Sequence, residues 1–171
     1  MATETIRPNA NGDSSQCIGS DANSTNNYQL IDESSANDAD YVYALVGNLC
    51  LDLYNIPSTA IPVGATINKI TFYARFREDT SGVDVCEFAY KSDGTVYYSP
   101  KPNVTTSWAE YSWEQTTNQK TSAAWTIDDI NALQIGVRVY SEYKVSNGTC
   151  SQLWIVIDYT EAALNQTIII F

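Results

Sequence analysis

Carboxylates and aromatic rings are the side chains whose types and spacing could do chemistry in this 171-residue chain, which contains no histidine. That absence excludes Ser-His-Asp and Cys-His nucleophilic mechanisms and every His-ligated metal. Acid–base work would then fall to a pair of carboxylates, and Glu110 and Glu114 are the pair to test. Four strand residues at ~3.3 Å each hold them ~13 Å apart, against about 5–5.5 Å for a retaining and about 6.5–9.5 Å for an inverting glycosidase. They cannot act together while the strand is extended. No catalytic residue is assigned, and the chain reads as a non-enzyme.

Three other groups could bind rather than react. Asp32, Glu33, Asp38 and Asp40 lie within DESSANDAD, an oxygen-rich loop of the kind that suits Ca²⁺, without the DxDxDG and final Glu of an EF-hand. A solvated acidic loop is the plain alternative, so Ca²⁺ is a candidate ligand and no cofactor is required. Tyr97, Tyr98 and Tyr143 are the candidate platform for stacking sugar rings, and Trp108, Trp113, Trp125 and Trp154 are also available. Aromatic residues of a sandwich more often belong to its core. Cys17, Cys50, Cys86 and Cys150 show no CxxC spacing, and they allow three two-bridge connectivities or buried free thiols.

Strands must position these groups. The segment from Thr106 to Tyr140 is expected to hold strand, turn, helical turn and strand in unbroken order, and the remaining strands to pack against it. Alternation in Tyr111–Gln115 puts Tyr111 and Trp113 on one face. Thr126 and Asp129 have capping-box spacing before Ile130 and Leu133. From Leu133 the period becomes two, with Leu133, Ile135, Val137 and Val139 inward and Gln134, Arg138 and Tyr140 outward.

Earlier in the chain, residues 3–8 read as an edge strand ended by Pro8, and Asn9–Asn27 as a polar loop. Tyr28–Ile31 reads as a short strand. Tyr41–Val46 and Leu49–Tyr54 flank Gly47-Asn48, a two-residue hairpin signal; in the second strand Leu49, Leu51 and Leu53 share one face and Cys50, Asp52 and Tyr54 the other. Residues 66–77 form the longest strand, with Ile70, Phe72, Ala74 and Phe76 on one face and Arg75 and Arg77 on the opposite one. Those arginines are expected to pair with cross-strand carboxylates rather than an anionic ligand. Asp93-Gly94 joins residues 83–90 and 95–99 as a hairpin, and residues 151–160 form a strand apolar on both faces.

Composition narrows the class. Twelve Tyr, abundant Ser and Thr and no long apolar helical repeat favour β structure. The expected fold is all-β, a single jelly-roll-like antiparallel β-sandwich with one short helical turn and a C-terminal β-strand tail. Residues 1–160 form the sandwich and 161–171 an apolar tail. A formal charge of −11 and a pI near 4.1 argue against nucleic acid as a partner. No apolar run approaches the ~20 residues of a membrane span, so membrane insertion is not expected. The opening MATETIRPNANGD has no leader pattern, implying a chain used without export or a mature form. Sequons at Asn23, Asn103, Asn147 and Asn165 are near chance frequency.

Several strings occur together in a familiar order: ETIRPNANGD, YQLIDESSANDADYV, DLYNIP, ATINKITFYARF, SWAEYSWEQTTN with AAWTIDDINALQIGV, and QLWIVIDYT. In that order, over about residues 3–160, the chain resembles a jelly-roll-like β-sandwich domain of tailed-phage and archaeal-virus structural proteins and of microbial cell-surface proteins. The resemblance implies a structural or adhesive module and carries no active site.

The functional expectation is therefore a structural or assembly protein, first of all a subunit on the virion surface, as capsid decoration or tail. Thr167, Ile168, Ile169, Ile170 and Phe171 would dock it to capsid or tail proteins or to further copies of itself by strand augmentation. One alternative is a subunit of an extracellular filament assembled by strand complementation. Another is a glycan-binding adhesion module at the cell surface, with carbohydrate as its partner.

Overall fold

Alternating apolar residues, not helical stripes, run through the chain, and the computed structural model forms strands wherever they do. It describes residues 1–45, 47–79, 85–141 and 148–162. The first strands are β1 (Ala2–Ile6), β2 (Ala10–Ser15), β3 (Ile18–Gly19), β4 (Val42–Tyr43) and β5 (Leu49–Asn55). Next come β6 (Thr66–Glu78), β7 (Val85–Ser92), β8 (Thr95–Tyr98) and β9 (Ala109–Gln115). A small hairpin of β10 (Thr117–Asn118) and β11 (Ala123–Ala124) leads to α1 (Ile127–Asn131), β12 (Gln134–Tyr140) and β13 (Gly148–Thr160).

Two antiparallel sheets face each other as a jelly-roll-like β-sandwich. One has the order β3-β4-β13-β6-β9, with β1 beside the later part of β13; the other has the order β2-β5-β12-β7-β8. Facing each other between them are Phe72, Phe76, Leu153, Ile155 and Ile157 from the first sheet and Phe88, Tyr90, Ile135, Val137 and Val139 from the second, all buried. Tyr90 is the centre of an aromatic cluster: its ring lies 5.3 Å from Phe72, 5.5 Å from Trp113, 5.6 Å from Trp125 and 5.2 Å from Tyr97. Burial of such rings supplies much of the apolar stabilisation of a sandwich. Among the described residues no helix is long and apolar enough to cross a membrane.

Several expected elements appear as read. Thr126 caps α1, accepting from the Asp129 N–H while the Asp129 carboxylate accepts from the Thr126 N–H. Asp93 and Gly94, both at positive φ, turn β7 into β8 with Ser92 opposite Thr95. The inward faces of β6 and β12 match the alternation.

Other expectations need correction. Gly47-Asn48 does not close a hairpin: β4 pairs with β3 and β13, while β5 pairs with β2 and β12 in the opposite sheet. The turn carries the chain across the sandwich and docks on the end of β12, where the Gly47 N–H donates to Ser141 O at 2.8 Å. Residues 9–27 are not all loop, since β2 and β3 lie within them, recruited by ladder partners far away in sequence. Asn27–Leu30 is a 3-10 turn, not a strand. Arg75 pairs with Asp38 of the acidic loop and Arg77 with Asp79 two residues on, so neither pairs across the sheet.

The polar face of β5 points inward. Cys50, Asp52 and Tyr54 are buried between the sheets, whereas Leu49 on the other face is 53% exposed. Asp52 accepts from the backbone N–H groups of Gln16 and Cys17 at 2.6 and 2.8 Å, from Asn27 Nδ2 at 2.6 Å and from the Tyr54 hydroxyl at 2.9 Å. Cys17 and Cys50 form a disulfide spanning 33 residues, whereas Cys86 and Cys150 are buried thiols outside it. Beside Asp52, β12 comes so near that a Cβ on Gly136 would lie 2.1 Å from the Asp52 carbonyl oxygen. Only glycine fits there.

Three outcomes are expected. Asp52→Ala leaves four donors, three of them buried, without their acceptor, and the loss read from urea unfolding is expected to be about 3–5 kcal/mol; a loss below ~1 kcal/mol would mean that water reaches these donors. Thiol titration of denatured, unreduced protein should find the thiols of Cys86 and Cys150 alone, and those of all four cysteines after reduction. Burial raises the Tyr54 phenol well above its ordinary value of 10 and the Tyr90 phenol to about 12. Both keep their protons in the folded chain at pH values where the unfolded chain loses them, so stability should fall as pH rises above 10. Spectrophotometric titration of Tyr54→Phe and Tyr90→Phe should each remove one late-ionising phenol.

Candidate functional site

The most site-like concavity with polar walls lies at the end of the sandwich where β6 finishes and β13 begins. It is a cleft of about 260 Å³ lined by Ser20, Tyr41, Tyr43, Arg77, Asp79 and Thr149. Each lining residue is set by an element already described. Tyr43 lies on β4 between Ile18 of β3 and Thr149 of β13. Tyr41, two residues earlier, is held by Ser20, whose N–H donates to Tyr41 O at 2.8 Å and whose hydroxyl accepts from the Tyr41 N–H at 3.3 Å. Thr149 donates its hydroxyl to Arg77 O at 2.9 Å. The Cys17–Cys50 bridge ties β5 to the residue just before β3.

Aromatic rings continue the wall. The Tyr41 and Tyr43 rings are 6.0 Å apart, and the Trp108 ring is 6.1 Å from Tyr41. The guanidinium of Arg77 lies over Trp108, with Cζ 5.0 Å from the ring centroid, and donates through Nη2 to Asp79 at 3.0 Å. Arg77 Nε is buried and has no partner among the described residues. The cleft thus combines π faces, hydroxyls, a guanidinium with a spare donor and a carboxylate. Such a set can hold a ring that is apolar on its faces and hydroxylated on its rim, and it contains no nucleophile–base pair.

The residues singled out in the sequence lie elsewhere. Tyr97 and Tyr98 are neighbours on β8 and face opposite ways: Tyr97 turns inward onto Tyr90, while Tyr98 lies on the outer face, 36% exposed, under the guanidinium of Arg138 at 3.8 Å. They cannot share one platform. Arg138 is ion-paired with the buried Glu87. Tyr143 and the segment Thr167–Phe171 lie outside the described residues. Of the tryptophans, Trp113 and Trp125 pack into the core cluster and Trp154 stacks on Tyr73 at 5.2 Å.

The acidic loop is drawn down onto the outer face of the first sheet. Asp38 accepts two hydrogen bonds from Arg75, at 2.7 and 2.8 Å, and one from Ser151. The Arg75 bonds hold its carboxyl below the usual range, whereas burial raises those of Asp32 and Glu33. Asp40 accepts from Asn37. No three His, Cys, Asp or Glu side chains among the described residues are close enough together to hold a metal ion. Glu114 pairs with Lys69.

Sequence reading missed the cleft, although one signal was present. Tyr41 and Tyr43 alternate on one strand, and Arg77 closes the longest strand; that Trp108 meets them depends on how β6 pairs with β9.

No protein-family model matches the chain, and no curated protein matches it significantly. Among solved structures it is similar to the C-terminal CBM6 of LamC, a marine laminarinase from Zobellia galactanivorans, with 16% identity over 91% of this chain and 98% of that one, at a TM-score of 0.46. It is also similar to a carbohydrate-binding module of Cellvibrio mixtus lichenase 5A in complex with cellotriose, with 13% identity, 94% and 100% coverage and a TM-score of 0.40. A third is the N-terminal cellulose-binding domain of Cellulomonas fimi β-1,4-glucanase C, with 16% identity, 78% and 84% coverage and a TM-score of 0.40.

Proposed function

We propose that the chain is a non-catalytic, extracellular glycan-binding module whose ligand enters the cleft between Tyr41, Tyr43 and Arg77. The observation that carries this reading is the convergence of neighbouring aromatic rings with a guanidinium and hydroxyls around a cleft of about 260 Å³. That volume is at the small end for ligand pockets, roughly 300 Å³ and upward, and suits one or two sugar rings. A pyranose would lay its C–H face on an aromatic ring and direct its hydroxyls to the Arg77 guanidinium, Asp79 and Ser20. Asp79 balances Arg77 in the cleft and the whole chain carries −11, so a neutral glycan is favoured over a uronic or sulfated one.

The Cys17–Cys50 bridge supports an oxidising compartment and hence the cell exterior. The distant likeness to carbohydrate-binding modules points the same way but is too weak to carry the reading. Virion-surface and filament readings rest on the segment Thr167–Phe171, and no observation among the described residues favours them.

The test is calorimetric titration with neutral oligosaccharides chosen from a glycan array. Binding is expected to weaken at least tenfold in Tyr41→Ala and in Arg77→Met, with unfolding midpoints checked for each, and to be unaffected by a chelator. No binding to any neutral glycan, or undiminished binding in both variants, would overturn the assignment.

A further inference from the structure

At the opposite end of β6 lies a second concavity of a different kind. It has a volume of about 340 Å³, and its walls include Val63, Ala65, Ile67, Trp125 and Ile127. Val63 on its rim is 94% exposed, and Ile127 is only partly buried. The thirteen residues of β6 separate this groove from the Tyr41 cleft by roughly 40 Å. Thr66, Thr126 and Asp128 complete a lining that is mostly apolar and, unlike that of the cleft, holds neither a tyrosine nor a guanidinium.

The course of the chain says what covers it. Thr160, the last residue of β13, pairs with Thr66 in the groove wall. Two residues on, Ala162 abuts Gly64: a Cβ on Gly64 would lie 3.6 Å from the Ala162 Cβ. The chain is therefore delivered to the groove's rim, with residues 163–171 still to follow. These include Ile168, Ile169, Ile170 and Phe171, an uninterrupted run of four large apolar side chains. Ile168 lies six positions beyond Ala162, a reach of roughly 20 Å when extended, which is ample to fold back.

We propose that the groove beside Trp125 is the docking site of the chain's own C-terminal segment, Ile168–Phe171. An uncharged run of this β-propensity is an aggregation hazard if left in water. A predominantly apolar groove at its point of departure, with Asp128 as the one charged residue of its lining, removes that hazard within one molecule.

The experiment is hydrogen exchange by mass spectrometry on the full chain, with molar mass from light scattering. It compares the wild type with the double variant Ile169→Asp, Ile170→Asp and with Val63→Asp, whose site is exposed and tolerates charge. A monomeric wild type is expected, with exchange at residues 63–67 and 124–127 rising at least tenfold in both variants. Unchanged exchange in the double variant would overturn the proposal. So would a wild-type dimer that dissociates in the variants, because the occupant would then be a second copy.

Discussion

The carboxylate of Asp52 is the point on which the described structure turns. A fully buried acceptor is costly unless its donors are supplied, and here they come from three separate stretches: the backbone at Gln16 and Cys17, the amide of Asn27 and the phenol of Tyr54. Sequence-distant segments without much apolar surface of their own are thereby held against the core. The disulfide from Cys17 to Cys50 closes the same region covalently, and the close passage of Gly136 over the Asp52 carbonyl sets how tightly β12 approaches β5. Together these features let a polar face of β5 point inward without leaving its groups unpaired.

That arrangement determines where a ligand can bind. Among the described residues, the broad outer faces of both sheets are covered by side chains that pair with one another. On one, Arg7, Trp154 and Tyr73 stack in a row, and the acidic loop is latched to Arg75 through Asp38. On the other, Arg138 lies between Glu87 and Tyr98, and the bulge of β2 is tied across the sheet by Asp13 and Lys91. Openings remain at the two ends of the long strands. They differ in chemistry: one is lined by phenols, hydroxyls and an Arg–Asp pair, the other mainly by aliphatic side chains and Trp125, with two threonines and Asp128 beside them. The two proposed occupants, a polar ligand and an apolar chain segment, match these opposite ends in chemistry.

The excess of acidic over basic residues fits this division. The cations are largely consumed in local pairs, among them Lys69 with Glu114, Lys91 with Asp13 and Arg138 with Glu87. Such pairs orient side chains more than they stabilise the fold, since exposed ion pairs contribute roughly 0–1 kcal/mol each. The surplus carboxylates leave a surface repulsive to polyanions, and Arg77 works as a hydrogen-bond donor beside Asp79 instead of as a point of positive potential.

The sequence by itself determined whatever depends on neighbours along the chain. The inward faces of β6 and β12 follow from a period of two, the start of α1 from Thr126 and Asp129, and the β7–β8 turn from the ability of Asp93-Gly94 to adopt positive φ. Only the tertiary structure decided what depends on partners far apart in the chain. Gly47-Asn48 has hairpin chemistry, but pairing with β13 and β12 sends its two flanks into different sheets. Alternation separated the two faces of β5, and burial of Asp52 among distant donors determined which one turned inward. Cysteine pairing was open among three connectivities until β3 and β5 were brought together. The cleft needed the same long-range information, since Tyr41, Arg77 and Trp108 become neighbours only through the ladders of β4, β6 and β9, whose registers no local pattern encodes.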